Sequence, residues 1–101
     1  MQFVITAMDF TDAGALDRRM AQREAHLAGV RQLIASGNFL SGGAILDSSG
    51  RMIGSTLHVD FPDRESLNAV LERDPYVSGK VWETIDVREA RLVPMPKSGA
   101  G

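Results

Sequence analysis

The chain has 101 residues, of which 44% are hydrophobic and 24% are charged, and its formal net charge is −2. This length and composition fit one globular domain and exclude a wholly disordered chain. The mildly acidic balance offers no general attraction for nucleic acid or anionic membrane, so neither is expected as a partner. The sequence contains no cysteine, which excludes disulfides, thiolate metal sites and a cysteine nucleophile. No apolar stretch approaches the roughly 18–20 residues of a spanning helix, and the N-terminus lacks a basic signal-peptide start, so a soluble cytoplasmic protein is expected.

The first half of the chain predicts a strand, a long helix and a second strand. Gln2 to Met8 alternates with apolar residues on both faces, as in a central strand. From Ala15 to Ser36 the period becomes helical, and Gly37 suits the helix exit. The predicted buried stripe of this helix consists of Leu16, Met20, Leu27, Val30 and Ile34. Phe39 to Ile45 predicts the second strand, interrupted by two glycines.

The second half predicts a strand, a helix and a final strand. Met52 to Phe61 alternates as a strand, and Asp63 is the expected N-cap of a helix that Asp74-Pro75 ends. Residues Val81 to Val93 read as the last strand. The predicted domain therefore covers residues 1–93, and residues 94–101 have the composition of a flexible tail.

The element order β-α-β-β-α-β predicts an α+β fold of the ferredoxin-like type, with an antiparallel four-stranded sheet and both helices on one face. The other face would be bare, and apolar Val4, Met8, Val81 or Trp82 are available there. A second copy of the chain is the simplest cover, because one self-complementary patch serves both subunits. A homodimer is therefore expected.

Arg23 and His26 are three residues apart in the first helix and occupy neighbouring surface positions. Histidine exchanges protons near neutral pH, so His26 at the border of the apolar stripe is a candidate general base or acid. The alternative is a solvated helical histidine without a function. Asp74 at a predicted helix C-terminus opposes the helix dipole, and such local violations are enriched at functional sites. Asp-Pro is equally an ordinary turn-starting pair.

Both helices lie on one sheet face in this fold, so His26 and the Asp74 turn can approach each other. Asp74 would then orient the imidazole, and Arg23 would bind an anionic or developing oxyanionic group. Tyr76 offers a hydroxyl and a ring to shape the pocket, unless it is simply a core aromatic. His58 and Asp60 share one face of a strand and are either a second site across a dimer interface or ordinary polar residues. The sequence has no metal, nucleotide-binding or nucleophile-elbow motif, so no metal or cofactor is expected.

Four segments together resemble a known family. They are Arg23-Glu24-Ala25-His26-Leu27, Gly42-Gly43, Gly54-Ser55 and Asp74-Pro75-Tyr76-Val77. The combination of Arg-x-x-His with Asp-Pro-Tyr is similar to that of the YciI-like proteins, and the similarity extends from Phe3 to about Val93.

This resemblance implies a ferredoxin-like subunit that pairs into a dimeric α+β barrel, with an active site around a histidine–aspartate pair. The pair would be His26 and Asp74 here, with Arg23 and Tyr76 at neighbouring motif positions. One family member is a dehydrochlorinase, and the fold resembles muconolactone isomerase. These analogies indicate a lyase or isomerase that transfers a proton on a small cyclic or aromatic-derived organic acid, although fold does not fix function. The alternative is a non-catalytic metabolite-binding or accessory dimeric module.

Overall fold

The computed structural model describes residues 1–95, so the tail prediction for residues 96–101 lies outside the described residues. Within residues 1–95 the chain forms four strands and three helices. They are β1 (Gln2–Asp9), α1 (Ala15–Ala35), β2 (Phe39–Leu46), β3 (Met52–Asp60), α2 (Arg64–Glu72), α3 (Pro75–Ser78) and β4 (Trp82–Ala90). None of the helices in this part of the chain is long and apolar enough to cross a membrane.

The four strands form one antiparallel sheet in the order β2-β3-β1-β4. This is the predicted ferredoxin-like α+β fold, and β1 is a central strand as its two apolar faces indicated. The alternation of β1 turns Phe3, Ile5 and Ala7 toward the helices, where each is at most 2% exposed. The same strand turns Val4 and Met8 to the helix-free face, where they are half-buried.

The helix termini follow local rules. Ser36 caps the C-terminus of α1, and Gly37 takes the left-handed backbone conformation, with φ of 82°, as predicted for this exit. The Asp63 carboxylate accepts a 2.7 Å hydrogen bond from the Ser66 backbone N–H, which confirms the predicted N-cap of α2.

The predicted buried stripe of α1 is wrong at three of its five positions, and the other two are half-buried. Leu16, Met20 and Ile34 are 36%, 52% and 55% exposed, whereas Arg19 and His26 are 2% and 8% exposed. The buried side of the helix is rotated from the apolar stripe, and it carries charged and polar groups that have partners in the interior.

Two further expectations for the C-terminal half need correction. The last strand ends at Ala90 and not at Val93. Val81 and Trp82 belong to the core with Tyr76, so they are not available to the helix-free face of the sheet. Trp82 is held there because its indole N–H donates to Ser55 Oγ at 3.1 Å.

Candidate active site

His26, on the buried side of α1, contacts Asp74 at the start of α3. The Nδ1 atom of His26 lies 2.9 Å and 3.0 Å from the two carboxylate oxygens of Asp74. Both side chains are largely buried, with 9% and 16% of their side-chain surface exposed. Since Nδ1 is taken up by the carboxylate, Nε2 is the ring nitrogen that remains for another partner.

The local setting of Asp74 differs from the one that the sequence indicated. Asp74 does not end α2, because α2 ends at Glu72 with Arg73 as its C-cap. Asp74 is instead the N-cap of the short helix α3, and its carboxylate accepts a 2.9 Å hydrogen bond from the Tyr76 backbone N–H. An N-cap aspartate is favourable, so the expected conflict with a helix dipole does not exist. The cap also orients the carboxylate that holds His26.

Two aromatic rings surround the imidazole. Tyr76 stacks on His26 with a centroid distance of 3.9 Å and an interplanar angle of 10°. Trp82 approaches the same imidazole edge-on at 5.7 Å. Burial raises the pKa of the Tyr76 phenol above its ordinary value, although the positive charge of Arg19 opposes this. The imidazole is therefore fixed on one edge by a carboxylate and on one face by a ring.

A buried ion pair adjoins these rings and was not predicted from the sequence. Arg19 Nε donates to Asp9 Oδ2 at 2.7 Å, and the two side chains are 3% and 5% exposed. Its Nη2 donates to the Gly54 carbonyl and to Ser55 Oγ, both at 2.7 Å, while Nη1 lies 3.5 Å from the Tyr76 hydroxyl. The available signal was the spacing of Arg19, Arg23 and His26 at i, i+4 and i+7, which places them on one side of a helix.

A cavity of about 240 Å³ lies between α1 and β2. Most of its wall is apolar, and we call it the polar cavity after the charged and hydroxyl-bearing residues that line it. Its polar side chains include Arg19, Arg23, His26, Ser55 and Tyr76, while Leu27, Val30 and Phe39 contribute apolar walls. Arg23 is half-buried there and makes no hydrogen bond or ion pair with any residue in the range 1–95. The cavity thus combines an unpaired cation with the imidazole of His26.

An apolar cavity of about 360 Å³ lies on the other side of α1, between α1 and α2. Its walls include Leu33, Leu67 and Leu71, and His26 and Asp74 line one part of it. His26 therefore borders both cavities. Arg19, Arg23 and the hydroxyl side chains line the polar one, and Arg73 lines the other.

His58 and Asp60 have separate partners within the chain, and a site that they form across a dimer interface stays a prediction. His58 Nδ1 lies 3.0 Å from Ser41 Oγ, and Asp60 pairs with the N-terminal amine at 3.3 Å. Both lie on the helix-free face of the sheet, away from His26. Among residues 1–95, no group of three or more histidine or acidic side chains is arranged to hold a metal ion.

The comparisons with known proteins agree with this architecture. The family model described as "YCII-related domain" matches residues 1–91. Protein YciI of Escherichia coli is 33% identical over 99 residues, covering 92% of this chain and 99% of that protein. An uncharacterized protein of Haemophilus influenzae matches with the same identity and coverage.

A solved structure is also similar over most of its length. It is the 5-chloro-2-hydroxyhydroquinone dehydrochlorinase of Burkholderia phenoliruptrix in complex with 2,5-dihydroxybenzoquinone. The two chains are 25% identical with a TM-score of 0.81, and the match covers 90% of this chain and 94% of the other. With the family model matching nearly the whole sequence, this chain belongs to the YCII-related family.

Proposed function

We propose that the protein is a lyase or isomerase that transfers a proton on a small cyclic or aromatic-derived organic acid. His26 acts as general base and then as general acid, and Asp74 orients it. The observation that carries this proposal is the 2.9 Å contact between His26 Nδ1 and the Asp74 carboxylate beside the polar cavity. A carboxylate at Nδ1 favours the tautomer in which Nε2 carries the lone pair and stabilises the imidazolium that forms.

In the proposed reaction, a proton moves from a substrate carbon to His26. Nε2 takes a proton from a carbon next to a carbonyl group, and the C–H electron pair becomes a C=C bond while the carbonyl π electrons move to oxygen. In a substrate with a conjugated C=C bond, the oxygen re-forms the carbonyl, the double bonds shift, and a carbon further along takes the proton back from Nε2, which completes an isomerisation. In a lyase reaction the same electrons return and expel a leaving group such as chloride with its bonding pair.

The class of substrate is inferred from the polar cavity. A volume of about 240 Å³ suits a molecule with one substituted ring. The unpaired guanidinium of Arg23 favours an anionic group, because a charge-assisted hydrogen bond is stronger than a neutral one. The similar dehydrochlorinase was solved with 2,5-dihydroxybenzoquinone, which is a single ring with several oxygen atoms. Tyr76 contributes a ring face and a hydroxyl to the same space.

The test compares His26→Ala and Asp74→Asn with wild type on lactones and halogenated hydroxyquinols. Loss of a general base typically lowers kcat by a hundredfold or more, and we expect such a loss for His26→Ala and a smaller one for Asp74→Asn. Arg31→Ala is the control in the same helix, since its side chain is exposed and lines neither cavity. Turnover that survives in both site variants would contradict the assignment.

The alternative is a module that binds the same anion without changing it. The partly buried, unpaired Arg23 supports binding under either hypothesis. Mass spectrometry of the candidate ligands after incubation separates the two, because an altered molecule excludes a pure binder.

We also propose that the protein works as a homodimer through the helix-free face of the sheet. Val4, Met8 and Ile45 make this face partly apolar, and no element in residues 1–95 covers it. An open sheet face of this kind normally packs against another layer. Thr6→Arg places a charge at its centre and should yield monomers in sedimentation analysis, whereas a monomeric wild type would contradict the proposal.

A further inference from the structure

Ser55 and Tyr76 line the polar cavity, and their hydroxyl groups share one buried partner. Ser55 and Tyr76 are 4% and 1% exposed, and both contact the guanidinium of Arg19. His26 lines the same cavity. The arrangement therefore brings two neutral donors and one base to one small space.

The hydroxyl of Ser55 has a proton to donate. Its oxygen accepts from Arg19 Nη2 at 2.7 Å and from Trp82 Nε1 at 3.1 Å. These N–H groups are donors only, so they occupy both lone pairs of the oxygen. The hydroxyl proton has no acceptor within residues 1–95, and the polar cavity is the space that the side chain adjoins.

The hydroxyl of Tyr76 is in a similar state. Its oxygen accepts one long hydrogen bond, at 3.5 Å, from Arg19 Nη1, and its proton has no acceptor in the described part of the chain. Burial raises the pKa of this phenol, which keeps it protonated and able to donate at neutral pH. The ring cannot turn freely, because it stacks on His26.

Arg19 holds both hydroxyls in place. Two contacts with Asp9 and one with the Gly54 carbonyl fix its guanidinium, and Asp9 balances its charge inside the protein. Donors that are fixed before the reaction need no reorganisation when charge develops on a substrate oxygen. Arg19 acts through these hydroxyls and is therefore a positioning residue.

We propose that the hydroxyls of Ser55 and Tyr76 form an oxyanion-binding site, organised by the Arg19–Asp9 pair, for the oxygen of an enolate or phenolate. The inference rests on the proposed function and deepens it. When His26 Nε2 removes a proton from carbon, the oxygen that gains the electron pair is held by these two donors. The preferred ligand is thus a ring that carries an ionised oxygen.

The test uses para-nitrophenol, whose ionised form absorbs visible light. Bound to wild type, the phenol should ionise at a lower pH than in free solution, because both donors favour the oxyanion. A hydrogen bond to a charged oxygen corresponds to roughly ten- to a hundredfold in affinity. We expect Ser55→Ala and Tyr76→Phe each to weaken phenolate binding by about that factor and to reduce the shift in ionisation.

Ser49→Ala is the matched control, since it removes an exposed hydroxyl that contacts Asp47 in the turn between β2 and β3. It should leave phenolate binding unchanged. Circular dichroism and the unfolding midpoint report whether Ser55→Ala is folded, and Tyr76→Phe tests the site independently of that variant.

Three results would overturn the oxyanion site. They are absence of phenolate binding by wild type, an unshifted ionisation of the bound phenol, and full binding by both folded variants. The last result would assign the anion to Arg23 alone. Phenolate binding is independent of turnover, so a bound phenolate together with a fully active His26→Ala variant would refute the proposed function and leave this site intact. If His26→Ala loses activity and wild type binds no phenolate, the proposed function stands and the oxyanion site is refuted.

Discussion

The two longer helices cover the same sheet face but bury opposite kinds of side chain. In α2 the buried residue is Leu67, at 1% exposure, and Val70 and Leu71 pack beside it. In α1 the buried residues include Arg19 and His26, whereas Leu16 and Met20 face outward. Hydrophobic contacts anchor α2, whereas α1 adds a buried ion pair and hydrogen bonds to the apolar packing of Leu33.

This difference indicates where the protein departs from simple burial rules. A buried charge is expensive unless it is fully paired, and Arg19 meets that condition through Asp9, Gly54 and Ser55. Well-packed apolar residues would serve stability at least as well. The polar inner side of α1 is therefore better explained by the site it builds than by the stability of the fold.

The largest effect is expected from breaking the ion pair of α1. Arg19→Met leaves the Asp9 carboxylate buried without its partner, which typically costs about 3–5 kcal/mol. Urea unfolding at neutral pH measures the loss. Arg18→Met is the control in the same helix, because its pair with Asp12 is solvent-exposed and should contribute much less.

The double variant Arg19→Met, Asp9→Leu should recover much of this loss, since no lone charge remains. Equal destabilisation by the Arg18 and Arg19 variants would remove the distinction between the two helices.

A smaller effect is expected at the apolar side of α2. Leu67→Ala removes a fully buried side chain and should lower the free energy of unfolding by roughly 3 kcal/mol. Leu16→Ala in α1 is the matched control at 36% exposure and should cost considerably less. The same urea experiment measures both, and a larger loss for Leu16 would mean that the outer side of α1 is buried in solution.

The smallest effect is expected in alkaline solution. Tyr76 is the single tyrosine of the chain, so tyrosinate absorbance reports its ionisation alone. Burial raises its pKa, and the midpoint in the folded protein should lie above that of the same protein in urea. Because folding raises the pKa of Tyr76, the buried neutral phenol contributes fully to stability below about pH 10. That contribution is lost as the pH rises toward and through the pKa of Tyr76 in the folded protein.

Tyr76→Phe abolishes the absorbance change and removes this alkaline loss of stability. A native midpoint at or below that of the unfolded chain would show that the phenol is open to solvent, and it would weaken the case for a buried donor.

The strands were predictable because their period of two and their turn residues are local signals. Gln2–Asp9 and Met52–Asp60 differ from the predicted strands by one residue at one end. The cap of α2 at Asp63 was equally local. The face of α1 was not predictable from apolar residues, because those residues indicated a stripe that the protein exposes.

The contact of His26 with Asp74 is a long-range feature that the sequence patterns did predict. The topology and the family resemblance indicated that the two side chains approach, and they lie 2.9 Å apart. Arg19 was overlooked, because a charged residue in a helix is usually solvated. Ser55 was named in a motif segment but was given no role, because a serine in a strand has no distinctive local signal. Their role is visible only from partners 10 to 36 positions away.

The amino-acid sequence by itself determined the order of the elements, the class of the fold and the family, because periodicity, turn residues and motif residues are encoded locally. Only the tertiary structure decided which side of α1 is buried, that Asp74 begins a helix and does not end one, and that one guanidinium joins two hydroxyls beside His26. The physical reason is that a buried polar group is tolerated only where distant segments supply its partners. Such partners become neighbours only after the chain has folded.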